Sequence, residues 1–216
     1  EYVTAMLQDV VPGKDGYEFT TAHPDDLDAA PLGEAIRDVH TQLEKTCGTG
    51  SFAPGELTTN LNARLDGLVT RAPQLAEYED KLRALYQAVA DREIPTQRIH
   101  GDLHLGQTLT HDGTWVLIDF EGEPAASVEE RCRLDSPLRD LAGMIRSFGY
   151  AAAASNKDEN WTAEKTNELL TSYGDVDKDV LRAYIADKCA YEVVYELENR
   201  PHMVDVPARA LATLLS

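Results

Sequence analysis

The 216 residues predict a mostly helical α+β fold with one small β-hairpin, and three observations carry that expectation. Apolar residues return every three or four positions over several long segments, whereas alternating strand-like residues concentrate between Ile94 and Phe120. The turn His111-Asp112-Gly113-Thr114 divides that second region, so its two short strands close on each other. The length suffices to bury a core as one domain or a domain and a half.

Along the chain, Pro12 to Pro31 reads as a polar connection. Gly13-Lys14-Asp15-Gly16 within it lacks the glycine spacing and strand-to-helix setting of a phosphate-binding loop. A helix is expected from Leu32 to Lys45, with Leu32, Ile36, Val39 and Leu43 on one face and His40 as a structural or exposed histidine. Gly48-Thr49-Gly50 reads as its stop. Further helices are predicted over Glu56–Thr70 and Ala72–Arg92 from their leucine stripes. Ile94–Ile99 then leads into strands Thr108–Thr110 and Trp115–Phe120. Ala125–Leu134 is a charged connection with about one helical turn. Ser136-Pro137 opens the next helix as cap and first residue, burying Leu138, Leu141, Ile145 and Phe148. Asp135, Arg139 and Asp140 in its first turn are expected to cap it and to ion-pair it to the loop before the hairpin. Ala151–Asn160 reads as an exposed tip, Thr162 as the cap of a helix to about Ser172, and Asp175 or Asp177 as the start of a long helix to Asn199. Pro201 ends that helix, and Pro207–Leu215 forms the last one.

A formal charge of −18 argues against nucleic acid, whose phosphates are bound through Lys and Arg clusters. Cys47, Cys132 and Cys189 are widely spaced, without a Cys-x-x-Cys pair, and read as reduced thiols of a cytoplasmic protein. No apolar run approaches the roughly 18 residues of a membrane span.

The chemistry concentrates between His100 and Glu123. Asp102 stands on a turn, Gln107 follows five residues later, and Asp119 ends an apolar strand. Phosphoryl transfer needs a carboxylate to receive the acceptor hydroxyl's proton and oxygen ligands to hold Mg²⁺ against the nucleotide phosphates. Asp102 suits the first task, and Asp119 with Gln107 the second. A hairpin brings the loop before its first strand near the end of its second, so the three side chains are expected around one volume.

His100-Gly-Asp-Leu-His-Leu-Gly-Gln107, Leu117-Ile-Asp-Phe-Glu-Gly-Glu-Pro124 and Asp135-Ser-Pro-Leu-Arg-Asp-Leu-Ala-Gly-Met-Ile-Arg-Ser-Phe148 resemble the actinobacterial maltokinases. These belong to the aminoglycoside-phosphotransferase-like branch of the protein-kinase-like fold. The likeness extends to Met6–Asp9 and Asp15-Gly16 near one end, and to Tyr191–Glu196 and Arg200-Pro201 near the other. It implies that Asp102 is the catalytic base, that Gln107 takes a metal-ligand place often held by Asn, and that Asp119 is the metal-binding Asp of the kinase Asp-Phe-Gly element. Glu121 stands where that element has Gly, a departure the maltokinase-like group shares.

The resemblance further implies the C-terminal lobe of such a fold. Residues 1–11 would be hinge, with Met6, Leu7 and Gln8 facing the adenine of ATP, and residues 12–216 a helical lobe carrying the hairpin at about 97–124. A phosphate-pairing lysine and covering loop are expected on a preceding lobe, so the fragment alone is expected to be inactive. In Tyr191-Glu192-Val-Val-Tyr195-Glu196 each pair falls four residues apart, along one helix stripe. This helix is a candidate acceptor wall, with Tyr195, Glu196 and Arg200, and His104 and Glu121 beside the hairpin, as substrate contacts. The competing reading packs Tyr191 and Val194 in the core and leaves the glutamates solvated.

The activity this implies is transfer of phosphate from ATP, with Mg²⁺, to maltose to give maltose 1-phosphate. His202-Met203 follows Arg200-Pro201 where maltokinases tend to carry a Trp, and another sugar such as glucosamine is the alternative acceptor. A reading of another class is a non-catalytic partner module for a trehalose synthase.

Overall fold

The apolar stripes of the sequence become one core, and the polar segments between them supply short strands and caps. A computed structural model describes residues 11–123 and 127–216. Its elements run β1 (Lys14–Asp15), α1 (Gly16–Ala22), α2 (Ala30–Cys47), β2 (Thr49–Phe52), α3 (Glu56–Arg71), α4 (Glu79–Gln87) and β3 (Ile94–Gln97). There follow β4 (Thr108–His111), β5 (Thr114–Leu117), α5 (Val128–Arg131), α6 (Pro137–Ser155), α7 (Glu159–Tyr173), α8 (Lys178–Asn199) and α9 (Asp205–Leu214). Among the described residues the fold is mostly helical with two small antiparallel sheets, β1-β4-β5 and β2-β3.

The predicted hairpin forms with Thr108 opposite Leu117 and His111 opposite Thr114. Asp112 and Gly113 both adopt left-handed φ, 47° and 76°, as a tight two-residue hairpin turn requires. Ser136 caps α6 by accepting from the Leu138 N–H, with Pro137 at the first helical position, and Asp177 caps α8.

Four expectations need correction. The Pro12–Pro31 connection contains β1 and α1, because Lys14 and Asp15 pair with Thr110 and Leu109, and Asp15 accepts from the Tyr17 and Glu18 N–H groups. The Gly48-Thr-Gly stretch does end α2, but it continues as β2, pairing Thr49 with Gln97 and Phe52 with Ile94. The helix expected over Ala72–Arg92 is divided, since Pro73 starts a separate 3₁₀ segment before α4. Ala151–Asn160 is not a tip: α6 runs to Ser155 with Ala151 and Ala152 buried, and Asp158 rather than Thr162 caps α7.

α6 organises the rest. It packs against α8, α7 and α1, while α2 lies on α7 and α9 closes on α8. Every residue from Asp140 to Phe148 is buried. Leu141, Met144 and Phe148 each contribute about 1.5–3 kcal/mol of hydrophobic burial. Their polar neighbours Asp140, Arg146 and Ser147 must then find partners, because an unpaired polar group in such a place is costly. Those partners build the site.

Candidate active site

The loop from His100 to Gln107 is held from two sides. From α6, Asp140 accepts from the His100 N–H at 2.7 Å and the Gly101 N–H at 2.9 Å, and Ser147 Oγ accepts from the Leu105 N–H at 3.2 Å. Asp140 also meets His40 Nε2 at 3.1 Å, and His40 Nδ1 meets the Tyr173 hydroxyl at 2.9 Å. His40 is thus a buried structural histidine, and the α6 first turn is tied to this loop by hydrogen bonds from backbone N–H groups rather than by the expected ion pair, since Arg139 pairs with Asp135 and Glu123 instead. Burial opposes the Asp140 charge, but His40, His100 and the Gly101 N–H hold its carboxyl below the usual range. Gly143 lets α6 come this close, for a Cβ there would stand 2.4 Å from the Leu103 carbonyl oxygen.

From the hairpin, the Ile118 N–H donates to the Gln107 carbonyl at 3.0 Å, and His100 Nε2 lies 2.8 Å from the Ile118 carbonyl. His100 Nδ1 accepts from the Asp102 N–H at 3.3 Å, so Nε2 carries the proton and donates to Ile118. The His100 ring also packs on Phe120, 4.9 Å between centroids.

Asp102 therefore sits on a braced turn. Its carboxyl is pushed up by burial, against the opposing charge of Lys188, whose Nζ lies 3.8 Å away. His104 beside it is pushed down, again mainly by burial. Gln107 and Asp119 meet as predicted, with Nε2 to Oδ2 at 3.0 Å. Asp119, just before the Phe120-Glu121 turn, has a φ of 63°, in the left-handed region that a non-glycine residue rarely adopts and that collects at functional sites. The side-chain terminus of Gln107 stands from Asp119 at the spacing of adjacent oxygens on an octahedral Mg²⁺, about 3 Å, and amide orientation is set by its surroundings. Hard donors at this spacing fit Mg²⁺. Among the described residues no three His, Cys, Asp or Glu side chains form a metal cluster.

Asp102 and His104 open into a cleft of about 690 Å³ whose far wall is α8. Tyr191 and Tyr195 stack at 6.3 Å on that wall. Glu192 and Glu196 are buried, contrary to the expectation that they are solvated if Tyr191 and Val194 serve the core. The fold supplies their partners. Arg146 Nε donates to Glu192 at 2.8 Å, while Glu196 accepts from the Tyr150 hydroxyl at 2.9 Å and from Arg200 through two nitrogens. Burial and the neighbouring glutamates push the Tyr150 hydroxyl up, so it stays a donor.

Asp102, His104, Tyr195, Glu196 and Arg200 thus share the cleft, and Gln107 and Asp119 form the adjacent pair. Glu121 is not brought in: its side chain is exposed, and only its carbonyl is used, by Arg131. Met6, Leu7 and Gln8 lie outside the described residues.

Sequence reasoning missed Glu123, Tyr150 and Lys188 as cleft residues. Lys188 was detectable, because Lys188, Tyr191, Glu192 and Tyr195 follow the i, i+3, i+4, i+7 pattern of one helix face. Burial works against the Glu123 charge, yet the Tyr191 hydroxyl and the cations Lys188, Arg64 and Arg139 hold its carboxyl below the usual range.

The chain is 28% identical over 218 residues to a glucosamine kinase of Streptacidiphilus jiangxiensis, covering 88% of this chain and 49% of that protein. It is 31% identical over 140 residues to a glucosamine kinase of Mycolicibacterium smegmatis, covering 56% of this chain and 35% of the other. The chain spans about half the length, or less, of these relatives. In structure it superposes on a glucosamine kinase with a TM-score of 0.82 at 22% identity, over 96% of this chain and 60% of that one. A glucosamine kinase in complex with glucosamine, ADP and inorganic phosphate gives 0.82 at 21% identity, over 96% of this chain and 59% of the other. The model of the phosphotransferase enzyme family APH matches residues 2–184, most of the chain. The chain is a member of the APH phosphotransferase enzyme family.

Proposed function

We propose that this chain carries the metal and acceptor side of an ATP-dependent sugar kinase whose acceptor is glucosamine or a similar amino sugar. The observation that carries the acceptor class is the charge of the cleft. Asp15, Glu18, Asp102, Glu123, Glu192 and Glu196 line it against Lys188 and Arg200. Even with Arg146 behind Glu192, carboxylates outnumber fixed cations six to three. A protonated amine is attracted to such a wall by its charge, whereas a neutral sugar gains only hydrogen bonds from its hydroxyls to the carboxylates. The names of the two sequence relatives support the same acceptor.

In this reading Asp102 orients the acceptor hydroxyl and takes its proton. The stacked Tyr191 and Tyr195 offer an apolar surface to a sugar face, and the Tyr150–Glu196–Arg200 network fixes the far end of the cleft. Gln107 and Asp119 would hold Mg²⁺, which supplies neutralisation of phosphate charge. A preceding lobe would complete the ATP site, in keeping with the part of the relatives' length that this chain spans. The carboxylate set of Asp102 and Asp119 favours catalysis over a non-catalytic module serving a trehalose synthase. Maltose remains a second reading on one observation, the four tyrosines Tyr17, Tyr150, Tyr191 and Tyr195 lining a cleft larger than one hexose needs.

The test is to assay the full-length protein with Mg-ATP against glucosamine, N-acetylglucosamine, glucose and maltose. Glucosamine should give the highest kcat/KM, and N-acetylglucosamine, which lacks the charge, should be poor. Equal rates with glucosamine and its acetylated form would sink the amine reading, and preference for maltose would favour the second.

A further inference from the structure

Lys188 reaches from α8 to the loop that carries Asp102, and no other cation of the site is so placed among the described residues. Its Nζ is 3.8 Å from Asp102 Oδ1 and 5.3 Å from the centroid of the Tyr191 ring, which steadies the ammonium from its own helix. The same residue lines both the cleft and a small void of about 20 Å³ behind Asp102. The other cations around these two spaces are engaged elsewhere. Arg64 pairs with Asp187 at 3.2 Å, Arg139 with Asp135 at 2.9 Å, and Arg200 with Glu196 at 2.6 Å.

We propose that Lys188 is a positioning residue, whose ammonium keeps the half-buried Asp102 carboxylate ionised and aimed at the acceptor hydroxyl. The proposal rests on the reading of Asp102 as the base. Asp102 is faced by His100 and His104 from its own loop, by Lys188 and Tyr191 from α8, and by Glu123 from beyond β5. The void it lines is also lined by Arg64 from α3, Arg139 and Asp140 from α6, and Tyr184 and Asp187 from α8. Burial and Glu123 favour its protonated form. Lys188 is the strongest charge on the other side, ahead of His104 and His100. A base that must be ionised in a partly dry site needs such a counter-charge, and an opposite charge within about 4–6 Å shifts a carboxyl by roughly 1–3 pH units. Because Lys188 is itself part exposed, the low end of that range applies.

The test compares kcat/KM against pH for the full-length protein and its Lys188→Met and Lys188→Arg variants, with Mg-ATP and glucosamine. In parallel, ¹³C NMR follows the Asp102 carboxyl, assigned by its loss in Asp102→Asn. In Lys188→Met the acid limb and the carboxyl titration should both move to higher pH by about one unit, and Lys188→Arg should restore both. An unmoved limb and titration in Lys188→Met overturn the proposal even if kcat falls, since a packing defect alone would lower kcat at every pH. Wild-type turnover in Asp102→Asn overturns the base reading and the catalytic purpose of the pair, while the carboxyl titration still tests the electrostatic link by itself.

Discussion

Asp102, as the proposed base, faces two opposing demands: burial favours the neutral acid, whereas proton abstraction needs the anion. Its carboxyl lies above the usual range, chiefly through burial. Activity should therefore fall on acidification already above the ordinary carboxylate range, as Asp102 takes up its proton. Asp102→Asn should lower kcat by about 10²–10⁴ with little change in KM, the usual share of a general base. The sign for stability is the reverse. A carboxyl whose folded value is raised binds its proton more tightly in the native state, so its contribution favours folding at low pH and is lost as pH rises through the folded value. Asp102→Asn should thus raise Tm at neutral pH while removing activity, and calorimetry beside the assay checks both. A lower Tm at neutral pH would mean that the charge is better compensated than the burial suggests.

Among the elements, α6 links fold and site. Its first turn carries Asp140, which accepts from two backbone N–H groups of the His100–Gln107 loop and from His40. Asp140→Ala leaves these buried donors without a partner and should cost about 3–5 kcal/mol. Asp140 has a depressed carboxyl, so its stabilisation is present above the ordinary carboxylate value and is lost as pH falls through the lower folded value. Urea melts of wild type and variant should differ by that amount at neutral pH and converge in strong acid. A cost below about 1 kcal/mol would show that the loop is held by the hairpin alone.

At the scale of the molecule, the described residues bring a base candidate, the Gln107–Asp119 pair proposed to hold a metal and the cleft proposed for the acceptor together in one mostly helical fold. A phosphate-pairing cation for the nucleotide is expected on a preceding lobe, as in other kinase-like sites. Residues 1–216 alone should show no turnover with Mg-ATP and glucosamine, whereas the full-length protein should. Calorimetric titration should find little ATP affinity in residues 1–216. Efficient phosphorylation by these residues alone would overturn the two-lobe reading.

The sequence by itself determined the helices with clear apolar stripes, the hairpin with its Asp-Gly turn, and the grouping of Gln107 with Asp119, because these depend on local periodicity and short-range turn chemistry. It also carries the motifs that resemble the maltokinases, of which the comparisons support the phosphotransferase family and not the maltokinase in particular. It could not show that β1 and β2 are strands, since two to four residues reach strand form only through partners 42 to 96 positions away. The burial of Glu192 and Glu196 was equally hidden, because a buried carboxylate depends on Arg146 and Tyr150 from another helix. The charge and shape of the acceptor cleft, and the meeting of Lys188 with Asp102, arise from α6, α8 and the hairpin closing on one space. Only the tertiary structure decided them, as contacts between distant segments leave no periodic trace along the chain.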